Sequence, residues 1–330
     1  MYIIAEMACS HEGDPALAQA IIDGAGKVGA NAIQFQIWRL ELASAPSLPN
    51  YAVLQNLEMS FDVWRDLHTY SKKHYPEMEI IACVSERESL AFAETLGVDA
   101  YKIHASDLEN PVFISAVAKT GKRIDLAVGA TTKEEITRAI GWIRETSSSP
   151  VWLMYGVQNF PTRSADAHLL HMLQLREDFA LPVGYQDHSD AETHAAFWIP
   201  AASVGMGIDI QEKHITHDRS KKGIDHEAAL NPDEFTEFVR MCNEVQAARG
   251  KKEWRPFSPN EEKYRAYARK SIVAARDLAK GTVLMEDDLL ALRASPPGLP
   301  PVDLPRFLGK TLECAKSRYE HLISDDVRGD

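Results

Sequence analysis

Two short blocks, Asp187-His188 and Glu212-Lys213-His214, hold the side chains best suited to chemistry. Each histidine follows a short apolar run, Leu181 to Tyr185 and Gly207 to Gln211, that reads as a β-strand. Two imidazoles on neighbouring strands can hold one divalent metal. Glu6 follows an equivalent run, Tyr2 to Ala5, and a carboxylate facing the rings supplies acid or base chemistry. Taken one at a time each residue has an ordinary reading, the histidines as polar strand ends and Glu6 as an ion-pair partner of Lys102 or Lys213. Taken together they make a metal-assisted acid–base site.

Such a site needs a frame that carries distant strand ends to one rim. Apolar runs recur at Tyr2–Ala5, Ala32–Ile37, Glu79–Cys83, Ala100–Ile103, Arg123–Ala127, Val151–Tyr155, Leu181–Tyr185 and Gly207–Gln211. Helical spacing fills the intervals, as in Ala16–Val28, Phe61–Lys73, Ser89–Leu96 and Lys133–Arg144. Asp14-Pro15 reads as a helix start, Gly29 as a stop, and a last helix is expected from about Pro232 through Ala248. Eight strands alternating with helices predict a (β/α)8 TIM barrel, whose active sites lie at the carboxyl ends of its strands. The competing frame, a doubly wound open sheet, carries a phosphate loop after its first strand, and no G-x-G-x-x-G follows Glu6.

The composition changes after Gly250. Lys251 to Asn260 is polar and Pro-containing, and short β-type runs then appear at Ser271–Ala275, Thr282–Leu284 and Leu292 around a Pro-rich loop. The expected division is a barrel over 1–258, a linker over 259–268 and a small mixed domain over 269–330. A formal net charge of -12 argues against nucleic acid or an anionic membrane as the main partner. Cys9, Cys83, Cys242 and Cys314 show no C-x-x-C spacing, which fits free thiols and a cytoplasmic protein. No apolar run reaches the roughly 18 residues of a membrane span, and the chain enters its first strand at Tyr2 with no signal peptide.

The order of the blocks carries a resemblance. Ile4-Ala5-Glu6-Met7-Ala8-Cys9-Ser10-His11-Glu12-Gly13-Asp14 is similar to the opening of sialic acid synthases, roughly I-A-E-I-G-x-N-H-x-G-D. Further matches are Gly29 to Gln36, Tyr101-Lys102-Ile103, Phe160-Pro161, Val183 to His188, Glu212 to Thr216, Gly223 to His226 and Leu230-Asn231-Pro232. The tail resembles that family's antifreeze-like (SAF) domain through Arg269 to Ile272, Lys280-Gly281, Asp287 to Leu289, Arg293 and Leu308 to Lys310. The resemblance implies a metal-dependent condensation of phosphoenolpyruvate with an open-chain N-acetylated amino sugar, giving a 2-keto-3-deoxy nonulosonic acid and phosphate. It assigns Mn2+ or Mg2+ to His188 and His214, the catalytic carboxylate to Glu6, and phosphoenolpyruvate binding to Lys102. Gln36, Asp107, Phe160 and Asp225 fall on substrate-pocket positions. Arg293 matches an arginine that contacts the sugar across a domain-swapped homodimer.

The departures cluster where the family holds phosphoenolpyruvate. Gln34 replaces a lysine, Gln158 an asparagine and Gln186 a serine. Ala82-Cys83-Val84-Ser85 replaces Ser-Thr-Pro-Phe, Ala105 a serine, and Ala127-Val128-Gly129 a Ser-Thr-Gly. Each lost charge-assisted donor is worth roughly 1.5–3 kcal/mol. Asp107 stands for a glutamate and Phe160 for a tyrosine. Two alternatives therefore stand beside the synthase: a divergent enzyme with the same metal and glutamate but another donor or carbonyl substrate, and a non-catalytic sugar-binding or regulatory relative. Trp38, at the mouth of the second strand, is the tryptophan positioned to shape a pocket.

Overall fold

A computed structural model describes residues 1–328. The chain divides into two compact units, Met1–Gly250 and the residues from Lys251 onward. In the first, eight parallel strands close into a barrel in sequence order: β1 (Tyr2–Glu6), β2 (Ala32–Ile37), β3 (Glu79–Val84), β4 (Ala100–Ile103), β5 (Arg123–Ala127), β6 (Val151–Tyr155), β7 (Val183–Asp187) and β8 (Ile210–His214). The register sets Glu6 beside Gln34 on one side and beside His214 on the other. It also sets Gln186 beside Glu212 and Asp187 beside Lys213.

Successive strand residues face opposite sides of the sheet, which sorts the side chains into layers. Outward residues such as Ile33, Phe35, Tyr101, Leu126 and Tyr185 join the main core, packed against the surrounding helices. Inward residues Ile4, Ala32, Ile81, Ala100, Met154 and Ile210 form a separate apolar plug inside the barrel. At the amino-terminal end, Arg123 lies over Trp152 and pairs with Glu79 and Asp125. Two residues further along β1, β2, β4 and β8, the inward positions turn polar, as Glu6, Gln34, Lys102 and Glu212, and the site begins.

The helices start where the sequence places caps. Asp14 accepts from the Ala16 N–H ahead of Pro15–Lys27, and Thr132 with Glu135 forms a capping box ahead of Lys133–Thr146. β7 and β8 run two to three residues later than the apolar runs predicted, ending at Asp187 and His214. Polar residues lie inside these strands where they pair across the ladder, Gln186 with Glu212 and Asp187 with Lys213. The outward pair Asp187 and Lys213, both buried, is joined at 2.6 Å, with Tyr185 and Ser189 hydroxyls also donating to Asp187.

The expected linker over 259–268 is instead the helix Pro259–Ala268, and the first unit ends at Gly250 rather than 258. Ser258 and Glu261 cap that helix reciprocally and Pro259 takes its first position. The second unit holds an antiparallel pair, β9 (Lys270–Ala274) and β10 (Leu289–Arg293), over a core that includes Ile272, Leu284, Phe307, Leu312 and Leu322. The run Thr282–Leu284 is no strand; it contributes one bridge, Val283 to Thr311. No described helix is long and apolar enough to cross a membrane.

Candidate active site

At the carboxyl end of the barrel, a cavity of about 180 Å³ is lined by Glu6, Lys102, His188, His214 and Glu212. Gln36, Gln158, Phe160, Gln186, His104 and Asp225 complete its walls. Nine of the residues singled out from the sequence thus meet in one place.

Two buried carboxylates and one buried ammonium form its floor. Lys102 Nζ lies 2.5 Å from Glu212 Oε1 and 3.7 Å from Glu6 Oε2. Glu6 Oε1 accepts from the Ala8 N–H at 2.7 Å and from Gln36 Nε2 at 3.3 Å. Burial pushes the Glu6 carboxyl up to about 8; Lys102 opposes the rise and the Glu212 charge adds to it. Burial works against the charged Lys102, yet its two carboxylate neighbours hold its pKa above the ordinary value. An acid tuned toward neutrality can both accept and return a proton near pH 7.

The two imidazoles stand above this floor, with ring centroids 5.1 Å apart and nearly perpendicular. His188 Nδ1 lies 2.9 Å from the Val157 carbonyl, which can only accept. The proton therefore sits on Nδ1, and Nε2 keeps its lone pair. Burial lowers the pKa of His188, and it lowers that of His214 further with help from His188 and Lys213. Both rings are held neutral, the form that binds a metal. His214 Nδ1 is buried with no protein partner. This donor set fits a divalent cation. Among the described residues no group of three or more His, Cys, Asp or Glu converges to hold a metal ion, so any cation here would have these two imidazoles as its protein donors.

Four glutamines line or underlie the cavity. Gln186 Nε2 donates to Glu212 Oε1 at 2.9 Å, while its Oε1 and Glu212 Oε2 are buried without protein partners. Gln34 is fully buried next to Glu6 and neither of its amide atoms has a partner. Two glycines make room for Gln158 and Gln186. A Cβ on Gly129 would lie 2.8 Å from Gln158 Nε2, and one on Gly156 would lie 2.4 Å from the Gln186 carbonyl oxygen. Phe160, half exposed, sits 4.4 Å from the His188 ring and 5.8 Å from His214. Asp225, in a left-handed backbone conformation, accepts from the Cys9 N–H at 3.1 Å.

Three of the expected site residues lie outside this cavity. Asp107 lines an adjoining cavity of about 530 Å³, which shares Gln36 and His104 with the first. Gln34 lies in the layer of Glu6 but is not among the lining residues. Arg293 belongs to the second unit, exposed at the end of β10. Glu212 is the residue whose role the sequence reading missed. Its position two before His214, on the same face of β8, was the available signal. The simple alternative holds for one of its two partners: Lys102 pairs with Glu6, though it sits closer to Glu212, while Lys213 pairs with Asp187.

Known proteins share this architecture. Residues 21–254 match the NeuB family and residues 269–318 match the SAF domain. The chain is 29% identical to the N,N'-diacetyllegionaminic acid synthase of Legionella pneumophila, covering 99% of this chain and 94% of that one. It is 28% identical to the human N-acetylneuraminate-9-phosphate synthase over 98% of this chain and 93% of the other. The crystal structure of N-acetylneuraminic acid (sialic acid) synthetase from Leptospira borgpetersenii, in complex with citrate, superposes with a TM-score of 0.74. It is 29% identical, over 80% of this chain and 90% of that chain. With both units matched in order along the sequence, the chain belongs to the NeuB family.

Proposed function

We propose that this protein is a carbon–carbon bond-forming synthase that condenses phosphoenolpyruvate with the open-chain form of an N-acetylated amino sugar. The products are a 2-keto-3-deoxy nonulosonic acid and phosphate. The observation that carries the reading is the convergence of Glu6, Lys102, His188 and His214 in one cavity at the strand ends. The synthase names of full-length relatives support it.

His188 and His214 would hold Mn2+ or Mg2+, which supplies Lewis-acid polarisation of the sugar aldehyde. The remaining work falls to the chain. Lys102 anchors an anionic group of the donor, and Gln158 and Gln186 offer neutral amide donors beside it. As C3 of the donor bonds to the aldehyde carbon, water adds at C2 and phosphate departs. Glu6 gives its proton to the aldehyde oxygen, which becomes a hydroxyl, and takes one from that water, its carboxyl held in place by Ala8 and Gln36. Phe160 covers the imidazole pair and limits bulk water. A domain-swapped homodimer, with Arg293 acting across it, fits the exposed aromatic residues Trp254, Phe257, Tyr264 and Tyr267 on one stretch of the second unit.

Purified protein incubated with Mn2+, phosphoenolpyruvate and a panel of N-acetylated hexosamines releases phosphate, and Glu6→Gln does not. No release with any acceptor removes the reading. A second reading, with a less charged donor, rests on Lys102: among the described lining residues of the reaction cavity it is the one Lys or Arg, and Glu212 already holds it. Stabilisation by pyruvate but not by phosphoenolpyruvate in a thermal-shift titration would favour it.

A further inference from the structure

Many outward positions of the barrel are apolar, as at Ile33, Phe35, Tyr101 and Leu126. The last rung between β7 and β8 carries a charge pair instead. Asp187 and Lys213 are partners across the ladder, and both side chains are closed off from solvent. Each immediately precedes an imidazole, Asp187 before His188 and Lys213 before His214. Neither lines the reaction cavity.

The ammonium group does more than close the pair. Lys213 Nζ lies 2.6 Å from Asp187 Oδ2 and donates to the Ser189 carbonyl at 3.2 Å. It therefore grips the chain on both sides of His188 and ties it to the strand that carries His214. The other carboxylate oxygen, Asp187 Oδ1, accepts from the Tyr185 hydroxyl at 3.1 Å and the Ser189 hydroxyl at 2.7 Å. The two rings differ in how they are held. His188 is tethered through Nδ1 to the Val157 carbonyl at 2.9 Å. His214 has no such tether, since its Nδ1 is buried without a protein partner. Its placement relative to His188 depends on the backbone, and the residue just before it is the one that Lys213 fastens.

Stability alone does not call for charges at this place. An apolar pair of similar volume is commonly as stable or more so, because burying two charges costs about what their attraction returns. What the pair adds is direction: an ammonium with two fixed acceptors sets the spacing of the segments it joins. Resting on the assignment of a divalent cation to His188 and His214, we infer that the Asp187–Lys213 pair is a positioning device that holds the two imidazoles at the separation the cation needs. Outer partners of ligating histidines commonly change metal affinity by roughly 10- to 100-fold. Here the support runs through the backbone on either side of the rings.

The test measures Mn2+ binding, with no substrate and no turnover. Electron paramagnetic resonance of free Mn2+ gives Kd for the parent, for Asp187→Asn/Lys213→Met and for Tyr185→Phe, each with its urea midpoint. The double variant removes both charges together and keeps the bulk, so it should stay folded while Kd rises roughly 10- to 100-fold. Tyr185→Phe takes one hydroxyl from Asp187 and leaves Lys213 in place; its urea midpoint should fall while Kd stays that of the parent. Equal Kd for the parent and the double variant, or an equal rise in both variants, overturns the inference. If the double variant does not fold, Asp187→Asn alone takes its place and must weaken Mn2+ more than Tyr185→Phe does; equal values again overturn the inference. A parent that binds Mn2+ no better than His188→Ala/His214→Ala removes the cation assignment and the inference with it.

Discussion

Glu6→Gln in metal-free protein tests the buried carboxylate pair most directly. Burial raises the folded-state Glu6 carboxyl from the ordinary 4.5 to about 8, so the folded protein keeps a proton that the unfolded chain has lost. The raised value fixes the sign: this contribution to stability is complete below about pH 4.5 and is lost as pH rises toward 8. At roughly 1.4 kcal/mol per pKa unit, the loss is on the order of 5 kcal/mol across that window. Glutamine keeps the shape, stays neutral and can still accept from the Ala8 N–H. The variant should therefore gain several kcal/mol relative to the parent between pH 5 and 8.5. Urea unfolding followed by tryptophan fluorescence reads this well, because Trp38, Trp64, Trp142, Trp152 and Trp198 all lie in the barrel unit. A stability difference that stays flat from pH 4.5 to 8.5 would mean that Glu6 titrates like a solvated carboxylate, and the account of the cavity floor would fail.

Three further outcomes are expected. Mn2+ at about 100 times its Kd should stabilise the protein by roughly 2.7 kcal/mol, and His188→Ala or His214→Ala should abolish the effect in differential scanning fluorimetry; an unchanged shift would show the cation bound elsewhere. Lys213→Met strands the buried Asp187 and should cost about 3–5 kcal/mol, most of it recovered in the double variant with Asp187→Asn, as read by denaturation midpoints. Gly156→Ala drives a methyl into the Gln186 backbone and should destabilise by about 1–3 kcal/mol while lowering turnover; a neutral result would mean that β6 and β7 separate easily.

The barrel was legible because its strands are apolar runs and its helices carry caps that chemistry dictates, as at Asp14 and Thr132. β7 and β8 were misplaced by two or three residues for one physical reason. A charge in a strand reads as a strand end unless its partner is known, and the partners of Lys213 and Glu212 lie 26 and 110 residues away. Glu212 was overlooked on the same account. Asp107 was assigned to the correct region, but which of the two adjoining cavities it lines depends on a 3-10 turn, Ala105–Asp107, that local sequence does not announce. The helix 259–268 was missed although Ser258-Pro259 and Glu261 spell a capping box; no buried apolar position marks it.

The excursion between β2 and β3 separates two kinds of change. Its residues line the larger cavity, whereas the imidazoles and the Glu6 carboxyl hang from backbone whose hydrogen-bonded ladder fixes them. Lengthening, shortening or repainting the stretch from Leu40 to Leu57 leaves that ladder in register. The larger cavity can thus be reshaped by exchanging one short insert, with the floor of Glu6, Lys102 and Glu212 carried over unaltered.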